Sequence, residues 1–276
     1  MENLGKREAI LAGSKLIRQL AQQAGHPLRV LELGCGEGQV VGSLVDAHAQ
    51  LCAGGCVVGV DYNARSLARC RKDYPFWRFV EGDFTDPALL GGLGEYDVLL
   101  LVNALHEVFS ASYSAELGEV DEQIGKQRAE TTLGAAAACL APGGWMVLFD
   151  GLEPPSDPQE RLHIRFQDLA LRQDFERFAS QYQPFRITYH ETGDRLEIVL
   201  SRRDFTRYIT KSIFLRKPLW QTEQKESYQY FTEAEFRAAF ARQGLQIVEL
   251  RTLTVNSEKW SRLVQICTPQ VDFPPE

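Results

Sequence analysis

The chain has 276 residues, room for one elaborated domain or two small ones, and 44% hydrophobic and 10% aromatic residues supply a sizeable core. A formal net charge of -7 and a pI near 5.4 argue against a general nucleic-acid coat, and no apolar run reaches the length of a membrane span. Residues 1–25 are charged with helical spacing rather than a signal peptide, and the six cysteines show no paired framework, so a cytoplasmic location is expected.

From Glu8 to Ala24, Ile10, Leu11, Ile17, Leu20 and Ala21 recur at helical spacing, and Gly25 closes the pattern. Val30, Leu31 and Leu33 then form a short apolar run interrupted by Glu32, as in a strand buried on both faces of a parallel sheet. Gly34, Gly36 and Gly38 follow at once, where the backbone must turn sharply or approach a neighbour closely. Val40, Val41 and Leu44 resume a helical pattern, so strand, glycine loop and helix make the first half of a nucleotide-type site. The dinucleotide fingerprint requires glycine at position 39, which is Gln39 here.

The spacing acid-x-G-x-G-x-G, led by Glu32, resembles motif I of the class I S-adenosylmethionine-dependent methyltransferases. A carboxylate at that strand end suits a cationic ligand and would repel a diphosphate. The resemblance implies a Rossmann-like fold, S-adenosylmethionine as cofactor, and cofactor contacts from Glu32, Gly34, Cys35, Gly36 and Gly38.

Cys52 and Cys56 have no C-x-x-C partner or nearby histidine and read as packing or loop residues. Residues 56–61, C-V-V-G-V-D, form a second buried strand whose terminal Asp61, with Tyr62 beside it, matches the family's ribose-binding acid. A helix over Ala64–Asp73 and a third strand over Phe76–Val80 lead to Asp83-Phe84, which the resemblance assigns to the adenine amine and ring. The fourth strand, Tyr96–Val102, is followed by Asn103, matching the position near the methionine moiety, and by His106 and Glu107. His106 is either a proton acceptor near neutral pH or a packing residue at a helix start. Glu107 either orients His106, holds a substrate ammonium, or serves as a first-turn acid.

A helix over Asp121–Leu140 and the turn Pro142-Gly143-Gly144 precede a fifth strand, Trp145–Phe149, in a stretch similar to the family's late motif. Thr232 with Glu235 forms a capping box and Phe231 with Phe236 a hydrophobic staple, so a helix starts there and stops at Gly244. Leu245–Leu250 and Arg262–Cys267 are expected as sixth and seventh strands joined by a loop bearing Trp260, an edge hairpin of the same sheet.

The expectation is therefore an α/β doubly wound, seven-stranded, mostly parallel sheet with an antiparallel last strand. Residues 1–150 and 231–276 form the core, and residues 151–230 an α+β lid insert between the fifth strand and the next helix. The proline-rich entry at 154–158 opens this insert. Arg161–Tyr182 is expected helical, and the alternating Phe185, Ile187, Tyr189 and Leu196, Ile198, Leu200 flank a Thr192-Gly193-Asp194 turn as a hairpin. Ser201–Leu215 is expected as a helix with Phe205, Tyr208, Ile209, Ser212 and Ile213 on one face. Its basic residues Arg202, Arg203, Arg207, Lys211, and then Arg216 and Lys217, form either a solvated face or a clamp for a substrate carboxylate or phosphate.

Methyl transfer from a sulfonium is an in-line displacement that calls for alignment, water exclusion and, for a protonated acceptor, a base. It requires no metal, and His106, His163 and His190 are too scattered along the chain to form a site. The function expected is methyl transfer to oxygen or nitrogen of a small molecule, natural products included, of anionic or aromatic character. The alternatives are a peptide or macromolecular acceptor and a silent cofactor-binding module.

Overall fold

The computed structural model describes residues 4–48, 50, 56–155, 157, 160–252 and 262–268. Cys52, Ser156, Pro158 and Trp260 lie outside them. The chain divides into two compact units. One comprises residues 1–108, 127–150 and 240–245, and the other residues 109–126, 151–239 and 246–276.

The first unit is built on a five-stranded parallel sheet of β1 (Val30–Leu33), β2 (Val57–Asp61), β3 (Arg78–Glu81), β4 (Tyr96–Val102) and β7 (Leu140–Phe149), in the order β3-β2-β1-β4-β7. β1 is central because it is apolar on both faces: Val30, Leu31 and Leu33 are fully buried, and the strand pairs with both β2 and β4. Strand order runs outward from β1 to β3, then resumes on the other side with β4, so a topological switch point lies at the carboxyl ends of β1 and β4. Helices Leu4–Ala21, Gln39–Ala47 and Ala64–Asp73 follow the expected periodicity. Leu16, Ile17, Val41 and Leu44 join Val30, Val98 and Leu100 in one core cluster.

The second unit holds a four-stranded antiparallel sheet in the order β11-β8-β10-β9, from β8 (Arg161–Phe166), β9 (Tyr189–Glu191), β10 (Glu197–Ser201) and β11 (Val264–Thr268). A separate short ladder joins β5 (Tyr113–Ser114) to β6 (Glu119–Val120). The sheet's inner residues Leu162, Ile164, Phe166, Ile198 and Leu200 are buried. Phe166, Phe175, Phe178 and Tyr208 extend that core as an aromatic cluster whose contacting rings have centroids 5.1 to 6.5 Å apart.

Three expectations are corrected. Among the described residues the parallel sheet has five strands rather than seven. Leu245–Leu250 forms no strand, with Val248 65% exposed, and β11 pairs with β8 in the other sheet. A strand buried on both faces needs a continuous apolar run, whereas β11 alternates Val264 and Ile266 with Gln265 and Cys267, which suits a sheet with one wet face. Arg161–Phe166 is a strand, because Leu162, Ile164 and Phe166 repeat every second residue. The helix begins only at Leu169, behind Asp168, whose side chain accepts the Leu171 N–H at 2.8 Å.

The capping box is present as read: Thr232 Oγ1 accepts from the Glu235 N–H at 3.3 Å, and Glu235 Oε2 accepts from the Thr232 N–H at 2.8 Å. The staple rings Phe231 and Phe236 lie 5.1 Å apart, and Gly244 ends the segment at φ +70°. Among the described residues no helix is long and apolar enough to cross a membrane.

Candidate functional site

Because all strands of the first sheet are parallel, their carboxyl ends share one edge, and the residues singled out after β1, β2, β3 and β4 all gather there. Gly34, Gly36 and Gly38 take φ values of +71°, +52° and +72°. A Cβ on Gly34 would stand 2.7 Å from the Ala104 Cβ, so the loop passes where no side chain fits. The Gly34 and Cys35 N–H groups both donate to the Val60 carbonyl, at 2.9 and 3.0 Å, tying the loop to β2.

Asp61 completes that tie. Its Oδ2 accepts the Gly36 N–H at 2.7 Å and its Oδ1 the Asn63 N–H at 2.8 Å. Each oxygen keeps a second lone-pair direction for a ligand hydroxyl. Neighbouring Tyr62 is 66% exposed. Cys35 is buried, and burial first, then the nearby Glu32, raises its thiol far above the usual range, so it packs rather than reacts.

Glu32 lies inside the unit rather than at its surface. Its Oε2 accepts the Val41 N–H at 3.1 Å, satisfying a first-turn donor of helix Gln39–Ala47, and burial pushes its carboxyl up to about 8.

Past β3, Asp83 is exposed and accepts the Thr85 N–H at 2.8 Å. Phe84 is buried, its Cε1 3.5 Å from the Cβ position of Gly34, forming a wall beside the glycine loop. Asn103 follows β4 at φ +52°, a conformation asparagine tolerates better than most residues, and its N–H donates to the Phe149 carbonyl at 2.8 Å.

His106 is 3% exposed. Its Nδ1 lies 2.6 Å from Asp150 Oδ1, and its backbone N–H donates to Asp150 Oδ2 at 3.0 Å. Asp150, just past the end of β7, thus orients His106, and half-buried Glu107 occupies the first turn of helix Leu105–Ser110. A neutral imidazole donating Nδ1–H to that carboxylate carries its lone pair on Nε2, the form in which it can accept a proton.

In the second unit, helix Arg202–Lys211 starts at Ser201, whose Oγ accepts the Asp204 N–H at 2.9 Å. Its buried face is not purely apolar: Asp204, Arg207 and Lys211 turn inward with Phe205 and Tyr208, while Ile213 is exposed. Arg207 pairs with Asp204 at 3.1 Å, and its Cζ lies over Phe185, 3.6 Å from the ring centroid. Its Nε and Nη2 make no hydrogen bond among the described residues. Lys211 Nζ pairs with Glu223 at 2.7 Å, and Tyr228 donates to the same carboxylate oxygen at 2.6 Å. Arg203 reaches Glu122 at 2.7 Å and Glu153 at 3.1 Å, and Arg202 pairs with Glu160. Burial, against the pull of Arg203, raises the Glu153 carboxyl above its ordinary range.

A family model described as a methyltransferase domain matches residues 6–250. The chain belongs to the methyltransferase-domain family. A search of curated proteins gives no match. Among solved structures this methyltransferase domain is similar to the CcbJ methyltransferase of Streptomyces caelestis, with 24% identity over 49% of this chain and 47% of that one and a TM-score of 0.34. It is similar to the amino pentose methyltransferase CalS10 of Micromonospora echinaspora, with 22% identity over 57% and 60% of the two chains and a TM-score of 0.34. A third, an S-adenosylmethionine-dependent methyltransferase from Mesorhizobium loti, shares 15% identity over 89% and 86% of the chains at a TM-score of 0.42. The chain spans 47% and 60% of the first two relatives' lengths.

Within the methyltransferase domain, the strand-end residues are those that the motif spacing singled out, and Asp150 is the one it missed. A signal was present: Asp150 closes the apolar run W-M-V-L-F as Asp61 closes V-V-G-V.

Proposed function

We propose that this chain is an S-adenosylmethionine-dependent methyltransferase acting on oxygen or nitrogen of a small molecule. The observation that carries the reading is the convergence, on one edge of a single sheet, of the glycine loop, Asp61, the Asp83-Phe84 pair and the His106–Asp150 pair. When bound, S-adenosylmethionine supplies the methyl group and its sulfonium leaving group.

The residues present fit that cofactor. The loop beside Ala104 leaves backbone surface bare, Asp61 retains acceptor directions for ribose hydroxyls, and Phe84 offers an apolar wall for the adenine. Asp83 is assigned to the adenine amine, Tyr62 and Asn103 to flanking contacts. Glu32 accepts the Val41 N–H and so holds the loop's helix, and we assign its contribution to the cofactor site to that positioning of the glycine loop. His106 Nε2 takes the acceptor's proton as the nucleophile attacks in line, and Asp150 stabilises the imidazolium that forms. Glu107 is assigned to the acceptor side of the same helix turn.

We assign acceptor selection to the second unit. Arg203 is committed to two carboxylates, whereas Arg207 is held by Phe185 and Asp204 with its Nε–Nη2 edge making no hydrogen bond among the described residues, the fork that matches a carboxylate or phosphate. The test is calorimetry with S-adenosylmethionine and its demethylated product, followed by radiolabelled methyl transfer across oxygen and nitrogen acceptors with and without an anionic group. Binding of NADH in place of S-adenosylmethionine would overturn the assignment.

A further inference from the structure

Far apart in sequence, His163, Glu197 and Cys267 meet on one face of the second unit's sheet. β8, β10 and β11 are consecutive neighbours in the order β11-β8-β10. In the β8–β10 ladder His163 stands opposite Val199 and Glu197 opposite Arg165, so His163 and Glu197 are diagonal neighbours on the same face. His163 Nε2 lies 2.9 Å from Glu197 Oε2. In the β8–β11 ladder the register shifts between Ile266 and Thr268, leaving Cys267 as the extra residue beside Thr268, which pairs with His163. One ligand atom from each of the three side chains lies within 4.8 Å of the other two.

We propose that His163, Glu197 and Cys267 form a zinc site that fastens β11 to the sheet, through imidazole Nε2, one carboxylate oxygen and Sγ, with water as the fourth ligand. Thiolate with imidazole is the donor set that selects zinc over calcium or magnesium, which prefer oxygen. Tetrahedral zinc with bonds of roughly 2.0 to 2.3 Å sets its ligand atoms about 3 to 4 Å apart, so small side-chain rotations suffice. The outer shell is already built: Arg165 donates to Glu197 Oε1 at 2.6 Å and also pairs with Asp194, which aims Oε2 at His163. His163 and Glu197 are each about one-fifth exposed, so an ion can reach them from solvent.

The balance is simple. Binding breaks the Nε2 to Oε2 hydrogen bond, the imidazole proton moves to Nδ1 through solvent, and the Cys267 thiol releases one proton to water. Zn2+ with one thiolate and one carboxylate is then locally neutral. The three ligands belong to the antiparallel sheet, whereas the residues assigned to methyl transfer belong to the parallel one.

The experiment uses the full chain stripped with a chelator. Co2+ titration should give thiolate-to-cobalt absorption and tetrahedral d–d bands at one equivalent, and Zn2+ should displace the cobalt and raise the thermal midpoint. Cys267→Ser should abolish the thiolate band and weaken zinc binding about tenfold or more, and so should His163→Gln, whose amide can still donate to Glu197 and keep the sheet intact. Circular dichroism checks that both variants are folded. A cobalt spectrum unchanged in Cys267→Ser, zinc binding equal in all three proteins, or no binding in the wild type would overturn the proposal, the first by placing the metal on another cysteine.

Discussion

Asp150 holds His106 at two points, with Oδ1 2.6 Å from Nδ1 and Oδ2 accepting the backbone N–H at 3.0 Å. The ring cannot turn without giving up a buried charge-assisted hydrogen bond, and its tautomer is set by the same contact. His106→Ala should lower turnover roughly a hundredfold or more with cofactor affinity nearly unchanged. Asp150→Asn offers an amide donor to Nδ1 and favours the wrong tautomer, so it should lower kcat by a similar factor without altering KM for the cofactor. Unchanged turnover in both variants would assign the pair to packing.

Asp61 ties the glycine loop and is proposed to hold the cofactor's ribose, two duties that two variants separate. Asp61→Ala should weaken S-adenosylmethionine binding by about 1.5 to 3 kcal/mol, the scale of hydrogen bonds to a charged group, and should also loosen the Gly36 contact. Asp61→Asn retains one acceptor oxygen and should lose less of both. Calorimetry reads the first effect and a thermal melt the second.

Glu32 predicts a pH dependence of stability. Its folded value is raised from 4.5 to about 8, so within that window the unfolded chain ionises while the folded chain keeps its proton. Stability therefore falls as pH rises through the window and levels off above it. Glu32→Gln cannot ionise and preserves an acceptor for Val41. Denaturant unfolding at about pH 5 and about pH 8 should show the wild type losing on the order of 2 to 4 kcal/mol more than the variant. Equal losses would contradict the burial argument.

Lys211 is fully buried against Glu223. Lys211→Met should cost about 3 to 5 kcal/mol, because it leaves the Glu223 carboxylate buried without its cation, with the Tyr228 hydroxyl still donating to it. The double change Lys211→Met with Glu223→Leu should recover much of that loss, as the unpaired charge goes with its partner. Chemical denaturation of the four proteins forms the cycle that measures the coupling.

Arg207 and Arg203 should differ in specificity. For an acceptor carrying a carboxylate or phosphate, Arg207→Gln should lower kcat/KM about 10- to 100-fold and spare a neutral analogue. Arg203→Gln should act equally on both acceptors, since its guanidinium serves Glu122 and Glu153. Equal effects of Arg207→Gln on the two acceptors would remove it from substrate recognition.

Local features were legible in the sequence because short-range physics decides them. Positive φ at Gly34, Gly36 and Gly38, the Thr232–Glu235 cap, the stop at Gly244 and the apolar runs of β1, β2 and β4 depend on a few neighbouring residues. Their order along the chain was enough to identify the parallel sheet and the residues at its strand ends. Only the tertiary structure decided which distant groups meet. It brought the Asp150 carboxylate to His106, moved β11 to the antiparallel sheet, and turned Lys211 inward, where Glu223 pairs with it. Periodicity says which face of an element is apolar, but the inward Lys211 becomes tolerable only because Glu223, from another element, brings a carboxylate to it. A strand's partner likewise depends on which sheet edge can cover its apolar face, and that is a property of the assembled chain.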